Sequence, residues 1–267
     1  MYRLVTLNLV LFVHVATAGA QDLIAPDAKL ERVASDLRFS EGPAWHPDGY
    51  LLFEDIPRNR IMKLDPMGKV TVFREPSGRA NGLCFDREGR LIAAEGNSTD
   101  GGRRISRTEK DGRVVTLADR YAGKRLNSPN DVTVDAQGRI YFTDPRYGSS
   151  EGVEQDRESV YRIDPNGSVT RIIDTVSRPN GIAISPDQKA LYVSDNREGS
   201  KRVLLGFDLA SDGSVKNGRT LYDFGAGRGI DGMTVDASSR IWATAGSGDK
   251  AGVYVFDVSD GKGAKLL

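Results

Sequence analysis

The chain repeats one hydropathy phrase. At its clearest, Asn130-Asp131 leads into the β-branched run Val132-Thr133-Val134. A turn follows at Asp135-Ala136-Gln137-Gly138, and a second run, Ile140-Tyr141-Phe142-Thr143, ends on Asp144. The same order of polar lead, short apolar run, turn and second apolar run starts at Glu41-Gly42-Pro43, Asn81-Gly82, Asn180-Gly181 and Asp231-Gly232. Runs of four to six residues rich in Val, Ile, Tyr and Phe and bounded by turn formers predict β-strands, joined pairwise as hairpins. Further hairpins fill the intervals: Arg60 to Phe73 around Pro66-Met67-Gly68, Ser159 to Ile173 around Pro165-Asn166-Gly167, and Arg202 onward around Ser211-Asp212-Gly213. Leu30 to Leu37 reads as one more strand, and Gly252 to Asp257 begins a last hairpin. No stretch beyond the N-terminus holds a helical apolar period over a dozen residues.

The lead residues stand at 41, 81, 130, 180 and 231, a period of about 40 to 50 residues with four short strands per unit, which is the signature of a β-propeller. Equivalent positions in a radial array lie at equal distances from the axis. Glu41, Asn81, Asn130, Asn180 and Asp231 are therefore expected to converge at one mouth of a central channel. The segments between repeats, from Asn97 to Arg103, Tyr121 to Pro129 and Arg146 to Arg157, should edge that mouth.

Composition narrows the chemistry. Of 267 residues, 37 are Lys or Arg and 37 Asp or Glu, and no basic run exists, so a nucleic-acid-binding role is not expected. Cys84 is the single cysteine, which rules out an intrachain disulfide, and its place between Leu83 and Phe85 suits a buried apolar filler. There are two histidines. His14 lies in an apolar leader and His46 in the turn His46-Pro47-Asp48-Gly49, so histidine-based triads and metal sites are disfavoured. Gly148-Ser149-Ser150-Glu151-Gly152 has the spacing of a serine-nucleophile elbow but sits in a polar insertion, not between strand and helix. Gly225 to Gly229 resembles a phosphate loop without its helix and reads as the loop that places Asp231. Asp55, Asp144 and Asp195, at the ends of second runs, read as turn caps. Tyr2 to Ala20 has the form of a secretory signal peptide, with one charge, an apolar segment too short to span a bilayer, and Ala18-Gly19-Ala20 before Gln21. The expected layout is a signal peptide over 1–20 and a propeller over 21–267, in a secreted or periplasmic protein with no membrane contact after cleavage.

Two carboxylates and three amides in one ring are hard oxygen donors. That set suits a divalent cation of the Ca²⁺ type better than Zn²⁺, which prefers His and Cys. A lone Asn-Gly or Asp-Gly is ordinarily a turn; five in register point to a functional ring.

The phrases Glu41-Gly42-Pro43-Ala44-Trp45, Leu126-Asn127-Ser128-Pro129-Asn130-Asp131, Arg178-Pro179-Asn180-Gly181-Ile182-Ala183 and Gly229-Ile230-Asp231-Gly232-Met233 resemble the SMP-30/gluconolactonase/LRE-like family over about residues 38 to 260. The resemblance implies an all-β, six-bladed propeller of four-stranded antiparallel blades. It implies one divalent metal held by Glu41, Asn130, Asn180 and Asp231, with Ca²⁺ the first expectation and Zn²⁺, Mg²⁺ and Mn²⁺ the others to try. Asn81 and Asn127 match substrate-contacting positions, and Asp231 matches the general base. The implied activity is hydrolysis of a small-molecule sugar lactone. Phosphotriesters or other esters, or a non-enzymatic propeller with a structural ion, are the alternatives. Five units are countable, so the sixth blade is expected to be incomplete.

Overall fold

A computed structural model describes residues 23–25, 27–96, 100–197 and 202–267. The expected signal peptide lies outside the described residues. The fold is an all-β propeller of five four-stranded antiparallel blades. Blade one holds β1 (Ser40–His46), β2 (Tyr50–Asp55), β3 (Arg60–Leu64) and β4 (Val70–Arg74). Blade two holds β5 (Ala80–Phe85), β6 (Leu91–Glu95), β7 (Arg104–Thr108) and β8 (Val114–Ala118). A small hairpin, β9 (Arg120–Tyr121) and β10 (Lys124–Arg125), precedes blade three, which holds β11 (Val132–Val134), β12 (Ile140–Asp144), β13 (Ser159–Ile163) and β14 (Val169–Ile173). Blade four holds β15 (Pro179–Ile184), β16 (Ala190–Asp195), β17 (Val203–Leu209) and β18 (Val215–Asp223). Blade five holds β19 (Met233–Val235), β20 (Arg240–Ala245), β21 (Gly252–Asp257) and β22 (Lys265–Leu266).

Two expectations need correction. The propeller has five blades among the described residues, not six with one incomplete, because the last hairpin completes blade five when β22 pairs with β21. Leu30 to Leu37 forms no strand; it finds no partner to share backbone hydrogen bonds, and Leu30 and Val33 stay exposed.

Between consecutive blades lie four apolar cores. Ala44, Leu52 and Ile61 pack on Leu83 and Leu91 between blades one and two. Ile92 and Ile105 meet Phe142 and Tyr161 in the next core, and Tyr141 and Val160 meet Leu191 and Val193 in the third. Leu204 and Leu221 meet Ile241 and Phe256 in the fourth. Burying a side chain of this kind contributes about 1.5–3 kcal/mol, so these cores are the main adhesive between sheets.

The turns between first and second strands are tied by an Asp-x₃-Arg clasp. Asp135 Oδ1 accepts the Gln137 and Arg139 amides, and its Oδ2 accepts the Arg139 guanidinium and the Tyr141 hydroxyl. Asp86 with Arg90 and Asp236 with Arg240 repeat the arrangement in blades two and five.

Candidate active site

The phrase that opens each repeat has a structural cause. In blades one, two and four the pairing of the first two strands skips register at the lead residue, between Glu41 and Ala44, Ala80 and Leu83, and Pro179 and Ile182. Such bulges bend a strand and re-aim a side chain. The glycine after the lead is required by the neighbouring blade. A Cβ on Gly42 would stand 1.9 Å from the Asn81 carbonyl oxygen, and one on Gly181 2.8 Å from the Asp231 carbonyl oxygen. The Gly181 and Gly82 amides donate to the Asp231 and Asn130 carbonyls. Asn81, Asn130 and Asp231 are thus each abutted by the backbone of the blade before them.

The result is one cavity of about 570 Å³ whose wall includes Glu41, Asn81, Asn130, Asn180 and Asp231. The radial convergence expected from the repeat is what the structure has. Asn180 Nδ2 donates to Asp231 Oδ1 at 2.9 Å and to the Tyr147 hydroxyl at 3.0 Å. Asp231 Oδ2 accepts from the Arg228 guanidinium at 2.6 Å. Asn130 is buried, and among the described residues its Oδ1 has no hydrogen-bond partner. Burial first, then repulsion from Asp231, pushes the Glu41 carboxyl up to about 7, against the Gly42 amide that favours the anion. Among the described residues no group of three or more His, Cys, Asp or Glu side chains is arranged to hold a metal. What the wall offers a cation is two carboxylates and three side-chain amides.

Asn127 is not part of that wall. It is 1% exposed, its amide donates to Asp144 Oδ2 at 2.8 Å, and its carbonyl accepts from Arg146, so it lies behind Ser128 and Pro129, which do line the cavity. Asp55, Asp144 and Asp195 cap as expected, and at a telling place. Each accepts backbone amides from the segment just before the lead residue of its own blade: Arg38 and Phe39, Asn127 and Ser128, and Ser177 and Arg178. They fix where the lead residues stand.

The other candidates are elsewhere. His46 stands at the opposite end of β1 from Glu41, stacked on Tyr50 and edge-on to Phe85; it is a packed residue, not a surface one. Ser150 is exposed in its insertion. Cys84 packs against the core between blades two and three, and burial pushes its thiol up. The sequence reading missed Tyr147, Arg79, Arg178, Arg202 and Arg228 on the wall. A signal existed for two of them: Arg79 and Arg178 both stand two residues before a lead residue, where Phe39 and Ser128 also face the cavity.

Comparison with known proteins agrees with this fold. The chain is 34% identical over 255 residues to a gluconolactonase of Zymomonas mobilis, covering 85% of this chain and 69% of the relative. It is 30% identical to regucalcin of Xenopus laevis, covering 88% and 77%. Among solved structures, a gluconolactonase from Xanthomonas campestris superposes with a TM-score of 0.76 at 36% identity, covering 88% of this chain and 76% of that one. The SMP-30/Gluconolactonase/LRE-like region matches residues 39–264, so the chain belongs to that family.

Proposed function

We propose that this protein hydrolyses a sugar lactone in the cavity ringed by Glu41, Asn81, Asn130, Asn180 and Asp231. The observation that carries the reading is the convergence of all five lead residues on one cavity in a chain related to gluconolactonases. The donor set fits a hard divalent cation, Ca²⁺ first. Among the described residues the buried Asn130 Oδ1 has nothing to accept from, and the Glu41 and Asp231 carboxylates repel each other. Glu41, Asn130, Asn180 and Asp231 would hold the ion. Bound there, it would supply Lewis acidity to the lactone carbonyl.

The chain's own groups supply the rest. The Asp231 carboxylate, oriented by Arg228 and Asn180, takes the proton of the attacking water as its oxygen bonds to the carbonyl carbon. The ring C–O bond then breaks, the departing oxygen takes up that proton, and the product is the open-chain hydroxy acid. Asn81 hydrogen-bonds the substrate from the wall. In this reading the protein works outside the cytoplasm after losing residues 1–20.

The test is hydrolysis of glucono-1,5-lactone by metal-stripped protein refilled with Ca²⁺, Mg²⁺, Mn²⁺ or Zn²⁺, beside Asp231→Asn. Restored turnover with a loss of about 10²-fold or more in the variant is expected. Wild-type turnover in Asp231→Asn would remove the residue from its role. Phosphotriester and simple ester substrates in the same assay separate a lactonase from another hydrolase.

A further inference from the structure

Beyond the five lead residues, the cavity wall carries one phenol among the described residues, Tyr147. It follows β12, at the start of the insertion, and its surroundings hold it still. The Arg146 amide donates to Glu158 Oε1 at 2.8 Å, and the Arg146 guanidinium donates to the Asn127 and Ser149 carbonyls at 2.9 and 2.7 Å. The Arg178 guanidinium lies over the Tyr147 ring, 5.4 Å from its centroid. The backbone beside Tyr147 is thus pinned, and one face of its ring is covered.

The hydroxyl is oriented by what it accepts. A side-chain amide nitrogen carries two protons. Asn180 Nδ2 spends one on Asp231 Oδ1 at 2.9 Å and the other on the Tyr147 hydroxyl at 3.0 Å. The opposite orientation of this amide would set its oxygen against the Asp231 carboxylate, so the nitrogen must point this way. The Tyr147 oxygen is therefore an acceptor here, and its own proton has to go elsewhere. Asn196, whose side chain also touches the hydroxyl, is no outlet. Its Nδ2 donates to the Ile230 carbonyl at 2.7 Å, and its Oδ1 lies against Gly229 and has no hydrogen-bond partner among the described residues. Among those residues the Tyr147 proton has no acceptor, and a phenol keeps that proton at neutral pH. An oxygen of a ligand in the cavity is the acceptor it lacks.

Position decides which oxygen. A single amide nitrogen separates the Tyr147 hydroxyl from Asp231 Oδ1. In ester hydrolysis the attacking and departing oxygens are bonded to one carbon, so base and donor must stand close together, each about 3 Å from its own oxygen. Asp231 serves the attacking water. Negative charge builds on the departing ring oxygen before its proton arrives, and a fixed donor there lowers the barrier. We propose that Tyr147 is a further catalytic residue: its hydroxyl, held by the Asn180 amide, donates a hydrogen bond to the ring oxygen of the lactone as the C–O bond breaks. The proton that this oxygen finally takes up is still the one Asp231 removed from water, so Tyr147 ends the cycle unchanged. This rests on the lactonase reading and deepens it.

The experiment compares wild type with Tyr147→Phe, which removes the hydroxyl and keeps the ring, on glucono-1,5-lactone with the Ca²⁺-loaded protein. Tyr147→Phe should lower kcat by about 10²-fold and leave KM within about twofold, the pattern of a contact made only in the transition state. The kinetic isotope effect of ¹⁸O in the lactone ring should grow in the variant, because breaking the ring C–O bond becomes the slower step. Calorimetry should find Ca²⁺ affinity close to wild type, well short of the loss of about 10- to 100-fold that follows when a metal ligand loses its orienting partner. The same titration shows that the variant is folded. A drop in Ca²⁺ affinity that matches the drop in rate would make Tyr147 a prop for Asn180 and overturn the proposal. An unchanged kcat, or a slower kcat with an unchanged ring isotope effect, would overturn it too, and in each of these cases the lactonase reading stands. If wild type hydrolyses the lactone with none of Ca²⁺, Mg²⁺, Mn²⁺ and Zn²⁺, the lactonase reading fails and this inference with it.

Discussion

The four junctions between consecutive blades and the flank between blade five and blade one face the same kind of surface and treat it differently. At each junction an apolar core joins the sheets, and the inner strands pack in series, β1 on β5, β5 on β11, β11 on β15 and β15 on β19. Between β19 and β1 there is no comparable contact. The apolar residues follow suit. Trp45 and Phe39 beside blade one are 65% and 55% exposed and Val253 on blade five is 63% exposed, whereas Ile105, Val160 and Leu204, which stand in blades two to four where Val253 stands in blade five, are fully buried. The glycine after the lead residue reports the same difference. Gly42, Gly82 and Gly181 each abut the next blade's backbone, whereas a Cβ on Gly232 would meet only Thr244 Oγ1 at 3.9 Å. A glycine that looks identical in sequence is therefore a steric necessity at a junction and a free choice at the flank.

The largest expected effect breaks a junction at that glycine. Gly42 has φ +54° as well as the Asn81 carbonyl against it, so Gly42→Ala should cost about 3 kcal/mol through overpacking and backbone strain. Gly232→Ala should stay within about 0.5 kcal/mol of wild type. Urea unfolding of both variants measures the contrast, and equal losses would show that the flank is as tightly filled as the junctions.

A second test takes the junction that lacks the glycine. After Asn130 the chain has Asp131, whose Oδ2 accepts the Ile182 amide of blade four at 3.0 Å and whose Oδ1 accepts the Val132 amide at 2.9 Å. Asp131→Ala leaves both amides without their acceptor and should cost about 2 kcal/mol. Amide exchange at Ile182 should quicken with it; unchanged protection there would remove Asp131 from the junction.

The smallest effect lies at the flank, in the blade-five clasp. Partial burial alone would push Asp236 up, but the Trp242 indole, the Arg240 amide and guanidinium and the Ser238 amide outweigh it and hold the carboxyl down at about 2. A carboxyl depressed in the folded state stabilises above its unfolded value near 4, and that stability fades as pH falls through about 2. Asp236→Asn should therefore cost about 1 kcal/mol at neutral pH, a loss that shrinks as pH falls toward about 2. The fully buried Asp135 in blade three should cost more on the same change. Thermal unfolding of the three proteins from pH 2 to pH 7 would show it, and a pH-independent loss would contradict the clasp.

How much of this was legible in the sequence depends on whether the cause was local. Hairpins were readable because alternation and turn formers act over a few residues. The ring of lead residues was readable because a repeat transmits one local fact five times. Leu30 to Leu37 had a strand-like pattern, but a strand needs a partner, and partnership is not written in the segment itself. Asn127 sits three residues from a lead residue, yet Asp144 pulls its backbone inward, so proximity in sequence did not become exposure to the cavity. The arginines of the wall were missed because each comes from a different loop and only the fold brings their charges together.

The order in which the blades are joined bears on the site as well. Glu41 and Asp231 sit on the first and fifth blades, and among the described strands the packing that connects them runs through the three blades between. Across the cavity these two blades turn the same charge toward each other. Like charge pushes two such blades apart, and opposite charge placed between them draws them together. How firmly blades one and five hold to each other then depends on what lies between two carboxylates.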